Sequence, residues 1–352
     1  MPLICSRNLY FIVIMAVLCA MAAPPVVRAS DTNAAVSTNT AVTTDAAAGT
    51  KAAVSTTAAI VVSRKIRPYL QVTEGILDQV SRKTADPQTS SPETADSQSA
   101  GSRVSGPRIS DTDVFFLSPG DDLVTTQVTD RLITGAYDLV AAVGPEAAAL
   151  VWQAGISGKK IYAAVLDPDA VPHIPDDACG IALRIPVTVQ LAAISRAFPS
   201  LGRIGLLFDP DHNQWFFEAA AAAALDDISV EVIPLEVTAR QYIARVLQDN
   251  LDRIDAVWMI PDQTVISEKL IQYVMKQALY KNTGVIGYNA YFTRTGALFS
   301  FEFDYQALGE QAGGLVMDCL AGRECRRIAP VFETKSNPQI AQKLGLKMEA
   351  AR

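Results

Sequence analysis

The stretch GRIGLLFDPDHNQWFF occupies residues 202–217. Ile204 to Phe208 is apolar, short and rich in branched side chains. Asp209, Pro210, Asp211, His212 and Asn213 follow at once, and from there the pattern is helical. A parallel strand buried on both faces is apolar along its length, with polarity confined to its ends. In open α/β sheets, ligands bind beyond the carboxyl ends of the strands. FDPDHN therefore reads as a strand tip. Its polar residues either face a ligand or cap the next helix, as Asp, Ser and Asn routinely do.

The same alternation extends in both directions. AIVVS (59–63) precedes a helical stretch at 68–80, VFFLS (114–118) precedes 123–133, and YDLVAAVG (137–144) precedes 145–153. KIYAAVLDP (160–168) closes a first set. A second set runs RIGLLFDP, SVEVIPL, DAVWMIPD and GVIGYN, separated by 213–225, 239–249 and 264–280. In the last of these, Ile266, Leu270, Val274 and Ala278 recur every four residues, a helix face. Strands alternating with helices mean parallel sheets covered on both faces. Two sets predict an α/β fold of two doubly wound, Rossmann-like lobes. Ser63, Ser118, Gly144, Asp167 and Asp262 are further polar tips.

With 352 residues, 49% of them hydrophobic, the chain is long enough for two domains with sizeable cores. Residues 1–29 read as a secretory signal peptide. Arg7 is a basic start, 9–21 is apolar, and Val27-Arg28-Ala29 presents small residues for cleavage near Ala29. The apolar run of 13 is short of the ~20 needed to span a bilayer. Residues 30–57, mostly Ala, Thr and Ser, read as a disordered tether, and 83–111 as a disordered insertion in a surface loop. Removing residues 1–29 takes away Arg7 and Arg28 and no acid, so the formal charge moves from −7 to −9. That balance argues against nucleic acid as a partner. Cys179, Cys319 and Cys325 would remain, an odd number. Cys319 and Cys325 form either a bridge or two buried thiols. His173 and His212 lack cysteines at ligand spacing, so no metal is expected.

The sequence has no P-loop and no G-x-G-x-x-G after a strand. It has no G-x-S-x-G elbow, and no serine accompanies Asp209 and His212 in their tip. Catalytic roles are therefore unassigned, and no enzyme is expected. A small-molecule cleft fits better. Gly144 followed by Pro145 opens a helix whose free amides suit a carboxylate. Asp262 suits a cationic group, or caps the helix near Thr264. Tyr288, Phe292 and Phe299 offer flat walls.

Several segments carry a family likeness: IVVSRKIRPYLQVTEGI, YDLVAAVGPEAA, YAAVLDP, RIGLLFDPDHNQ, DAVWMIPDQTVIS and GYNAYFTRTGALFSFEFDYQALGEQAG, closed by CLAGRECRRIAPVFETKSNPQIAQKLGLKM. In this order they resemble the ABC-transporter substrate-binding proteins of the tryptophan/tyrosine-binding-like family, over about 58–348. The resemblance implies the type I periplasmic-binding-protein fold, two lobes joined by a hinge. Lobe 1 would comprise 58–185 and 297–325, and lobe 2 would comprise 186–296 and 326–349, with crossings at 183–186 and 289–296 and a third before Val331. It implies a ligand site of Ser63, Gly144, Asp167, Asn213, Asp262, Tyr288 and Asn289. It also implies an exported, periplasmic, monomeric receptor without cofactor, which delivers an amino-acid-like or aromatic carboxylate to an ABC permease in the inner membrane. The alternative is an envelope sensor or protein-interaction module on the same fold.

Overall fold

The structure, a computed structural model, describes residues 55–85, 108–227 and 230–349. The first half runs β1 (Ser55–Val62), α1 (Arg67–Ala85), β2 (Arg108–Phe116), α2 (Asp122–Thr134), β3 (Leu139–Val143), α3 (Pro145–Gln153), β4 (Lys159–Val165) and β5 (Gly180–Ala182). The second runs α4 (Val187–Ala197), β6 (Arg203–Phe208), α5 (Pro210–Asp227), β7 (Glu231–Glu236), α6 (Ile243–Asn250), β8 (Ala256–Met259), α7 (Glu268–Tyr280), β9 (Gly284–Gly287), α8 (Ala290–Arg294) and β10 (Phe299–Glu302). The chain ends with α9 (Tyr305–Leu320), β11 (Arg327–Ile328), β12 (Glu333–Ser336) and α10 (Pro338–Lys343).

These elements build two six-stranded sheets, ordered β11-β5-β4-β3-β1-β2 and β12-β10-β9-β8-β6-β7. The first is parallel throughout. The second is parallel except for β12, which runs antiparallel to β10. The period of two along each strand divides the core. In lobe 1, Ala58, Ile60 and Val62 of β1 pack with α1 and α9 on one face. Ala59 and Val61 pack with α2 and α3 on the other. Lobe 2 divides likewise, Leu206 and Trp258 to one side, Leu207 and Val257 to the other. Burial on both faces is why these strands read as unbroken apolar runs.

α1 and α9, far apart in sequence, touch backbone to backbone. A Cβ on Gly309 would stand 2.3 Å from the Val72 carbonyl oxygen, and one on Gly75 2.4 Å from that of Gln306. Asp304 starts α9 by accepting from the Gln306 and Ala307 amides.

The lobe boundaries differ from those expected. The run 297–301 was assigned to lobe 1, but β10 pairs with β9 and β12, and Phe299 and Phe301 are buried in the lobe 2 core. An apolar strand looks alike whichever sheet receives it. The stretch 289–296 is accordingly not a crossing; it holds α8, within lobe 2. The chain leaves lobe 2 after β10, at 303–304. It crosses again at 329–332, since β11 still pairs with β5 of lobe 1. Among the described residues three crossings join the lobes, the first at 183–186, between β5 and α4. β1 begins at Ser55 and β2 at Arg108, so residues 55–57, 83–85 and 108–111 belong to regular elements. The remainder of the tether and of the insertion, and the signal-peptide reading, lie outside the described residues. Among the described residues no helix is long and apolar enough to cross a membrane.

Candidate functional site

A cavity of about 560 Å³ lies between the lobes. Its walls come from strand tips. Asp167 follows β4, Arg184 follows β5, and Asp211, His212 and Asn213 follow β6. Pro261 and Gln263 follow β8, Tyr288 follows β9, and Phe303 follows β10. This is the position that doubly wound sheets reserve for ligands, and the volume suits a small organic molecule.

The polar turn after β6 is built around two buried carboxylates. Asp209 is 3% exposed and Asp262 fully buried. Asp262 Oδ2 accepts from the Asp209 amide at 2.8 Å and from Asn213 Nδ2 at 2.7 Å, while Oδ1 accepts from the Thr264 amide at 2.8 Å. Thr264 Oγ1 donates to Asp209 Oδ2 at 2.5 Å. Asp262 thus ties the tip of β6 to the tip of β8. The Asp209 carbonyl takes the amides of His212 and Asn213, and Asn213 sits at a non-helical φ of −130°. That break lets the first turn of α5 face the cavity. Because Asn213 spends Nδ2 on Asp262, it keeps its oxygen, an acceptor, for a ligand.

On the opposite wall, Arg184 donates to Asp167 Oδ1 at 2.7 Å and lies 3.6 Å from Asp169. Its guanidinium stands 4.8 Å from the ring centroid of Trp215, on α5. This cation–π contact crosses from one lobe to the other. Trp215, Phe216, Tyr288, Phe301, Phe303 and Tyr305 supply the aromatic surface. Burial, and secondarily the charge of Asp262, pushes the Tyr288 phenol far above its ordinary range, so it stays protonated.

The family model described as ABC transporter substrate binding protein matches residues 110–351. The chain belongs to this family of ABC transporter substrate-binding proteins. Such proteins are solute receptors rather than enzymes, and membership implies a small-molecule ligand and a transporter permease as partner. Among solved structures, the chain is similar to a ligand-free, open substrate-binding protein with adhesive properties from Clostridium difficile. The TM-score is 0.64 at 16% identity, covering 83% of this chain and 95% of that one. A periplasmic ribose ABC transporter protein from Conexibacter woesei gives 0.53 at 12%, covering 85% and 97%. A conserved domain protein from Vibrio cholerae gives 0.51 at 17%, covering 84% and 96%. At these identities the likeness establishes the fold, that of type I periplasmic binding proteins. No curated protein matches the chain in sequence.

Of the residues expected at this substrate-binding protein's site, Asp167, Asn213 and Tyr288 line the cavity; Ser63, Gly144, Asp262 and Asn289 do not. Ser63 is buried, and its Oγ accepts from the Ala147 amide at 2.8 Å, capping α3. Gly144 sits at φ 90°, where a Cβ would stand 2.6 Å from Ser63 Oγ and 2.7 Å from the Tyr69 ring. The Ala147 amide, at the helix start expected to take a carboxylate, is therefore already taken, and Glu146 pairs with Arg64 at 2.7 Å. Asp262 braces the tips rather than facing the cleft. Asn289 caps α8 through the Tyr291 amide, and its Nδ2 is buried without a partner among the described residues. Phe292 and Phe299 are core. Arg184, Trp215, Phe303 and Tyr305 were missed. A signal existed for Arg184, a lone cation in the predicted crossing directly after a buried strand, and for Trp215, at the head of the helix that follows the polar tip.

Proposed function

We propose that the protein receives an amino-acid-like solute with an aromatic or other flat apolar group and delivers it to an ABC permease of the inner membrane. The observation that carries this reading is the charge set of the cavity. Among the described residues, its wall holds Arg184 against Asp167 and Asp211, one cation against two carboxylates. A simple aromatic carboxylate would meet a net negative wall. A zwitterion matches it, its carboxylate drawn to Arg184 and its ammonium to an aspartate. The ring would lie among Trp215, Phe303 and Tyr305. Export, cleavage near Ala29 and a monomeric state belong to the same proposal.

Native mass spectrometry of protein purified without refolding would reveal a co-purified solute. A melting-shift panel then compares aromatic amino acids with the same acids lacking the amino group and with the corresponding amines. Stabilisation by the zwitterions alone is expected, lost in Arg184→Met. Equal stabilisation by the deaminated acids would sink the zwitterion reading.

A further inference from the structure

Cys179, Cys319 and Cys325 meet at the end of lobe 1 away from the cleft. Cys179 immediately precedes β5, Cys319 lies in the last turn of α9, and Cys325 lies two residues before β11. Their three sulfurs fall within 4.8 Å of one another. Cys325 stands at bonding position to both others, with a Cα–Cα separation of 5.4 Å in each case, inside the range that disulfides require. The third pair, Cys179 and Cys319, has its sulfurs 3.6 Å apart. A sulfur carries one disulfide bond, so only two of the three cysteines can be joined at a time. The bridge weighed from sequence, Cys319 to Cys325, is one of two options, and the geometry gives Cys179 an equal claim.

We propose that the three cysteines are a thiol–disulfide exchange site in which Cys325 is bonded alternately to Cys179 and to Cys319. The bond is made once, by an external disulfide such as oxidised glutathione. Two protein thiols give up two electrons and two protons, and the oxidant becomes two thiols. Exchange afterwards needs no oxidant. The Cys319 thiol loses its proton to solvent, and its thiolate attacks Cys325 Sγ. The Cys319–Cys325 bond forms as the Cys179–Cys325 bond breaks. Cys179 leaves as a thiolate and is protonated in turn. The reverse step is the same reaction from Cys179.

Burial favours exchange within the trio over reaction with outside thiols: Cys179 and Cys319 are 7% and 1% exposed, so a bulky thiol does not reach them. The two bonds differ in what they hold. Cys179–Cys325 closes a separation of 146 residues and fastens the start of β11 to the start of β5. Cys319–Cys325 closes a separation of 6 and leaves that edge to its ladder. β11 leads directly into the third crossing, so the exchange alters how that crossing is anchored.

The test is disulfide mapping of the full chain after exposure to oxidised glutathione. The protein is held at about pH 8, near the ordinary thiol pKa, alkylated in acidic denaturant and digested in acid, so that each thiol is assigned by its own peptide. Both linked peptides, 179–325 and 319–325, are expected in one preparation. Alkylated Cys319 and Cys179 should appear in complementary amounts. After a jump from acid to about pH 8 the ratio should relax, about tenfold more slowly for each unit of pH below the attacking thiol's pKa. Cys179→Ala and Cys319→Ala should each form the one remaining bond completely. A single linkage in the wild type under all conditions overturns the proposal. So do three alkylated thiols after the oxidant, including three released only by a chelator, which would mark a thiolate metal site instead.

Discussion

The two lobes repeat one strand order, so β1 and β3 of the first correspond to β6 and β8 of the second. Their neighbouring tips are built differently. In lobe 1 the place is filled by Ser63 and Gly144, a hydroxyl that takes one amide of α3 and a glycine that leaves it room. In lobe 2 the equivalent place holds Asp209 and Asp262, two buried carboxylates that gather five donors. The first arrangement seals a helix end. The second is rigid and still presents polar groups, because Asp262 holds Asn213 from behind while the turn carrying Asp211 and His212 faces the cleft. A shared strand order therefore does not imply equivalent tips; what matters is how many amides each tip must satisfy, and from which strand.

Substitution at these tips tests the contrast. The largest effect is expected for Asp262→Ala, which strands the amides of Asp209 and Thr264 and the Asn213 side chain. At about 1–3 kcal/mol per buried unpaired group, less what water recovers, the loss should be about 3–5 kcal/mol by chemical denaturation. Asp262→Asn should cost about 1–3 kcal/mol rather than nothing, since one of its two oxygens becomes an amide facing donors. A silent Asn variant would show that the brace is an ordinary cap. In lobe 1, Gly144→Ala places a methyl against Ser63 and Tyr69 at a positive φ, expected to cost about 2–3 kcal/mol. Ser63→Ala removes a single cap bond and should cost about 1 kcal/mol. If it costs as much as Asp262→Ala, the two tips are energetically alike and the contrast fails.

The smallest effect is confined to alkali. The Tyr288 phenol has its folded pKa raised, so the unfolded chain ionises first. Its contribution is fully present below about pH 10, the unfolded value, and falls away as pH rises beyond it. Tyr288→Phe should flatten the alkaline limb of a stability-versus-pH curve. An unchanged limb would mean the phenol is solvated.

Much of this was legible in the sequence. Alternation of short apolar runs with helical stretches specified two doubly wound lobes, and the run ending in FDPDHN marked a tip that does line the cavity. Asp262 was harder, because its place at a strand tip is fixed by sequence while one oxygen of its carboxylate is held by the Asp209 amide, 53 residues away, and by the Asn213 side chain. Gly144 and Pro145 announced a helix start correctly, yet nothing local revealed that Ser63, from another strand, already occupies it. The lobe boundaries failed for a related reason: 297–301 is equally apolar in either sheet, and only pairing with β9 and β12 decides. Arg184 carries no motif, and its position follows from Asp167 and Trp215, which lie on separate elements.

The interleaving of the lobes also sets an order for synthesis. Tyr69, Val72 and Ile76 of α1 are buried against α9, whose last residue is Leu320. As the chain emerges, α1 therefore waits for more than two hundred residues before its partner helix exists. The segment 187–302 carries five of the six lobe 2 strands and can pair them in the meantime. Lobe 2 is thus positioned to assemble first, while lobe 1 keeps an apolar helix face uncovered until nearly the whole chain has been made. The close-packed glycines Gly75 and Gly309 make that final docking all-or-none, since backbones brought this near leave no partly seated arrangement. A chain truncated before α9 should accordingly protect the lobe 2 amides from hydrogen exchange while those of residues 67–85 exchange freely, and the full chain should protect both.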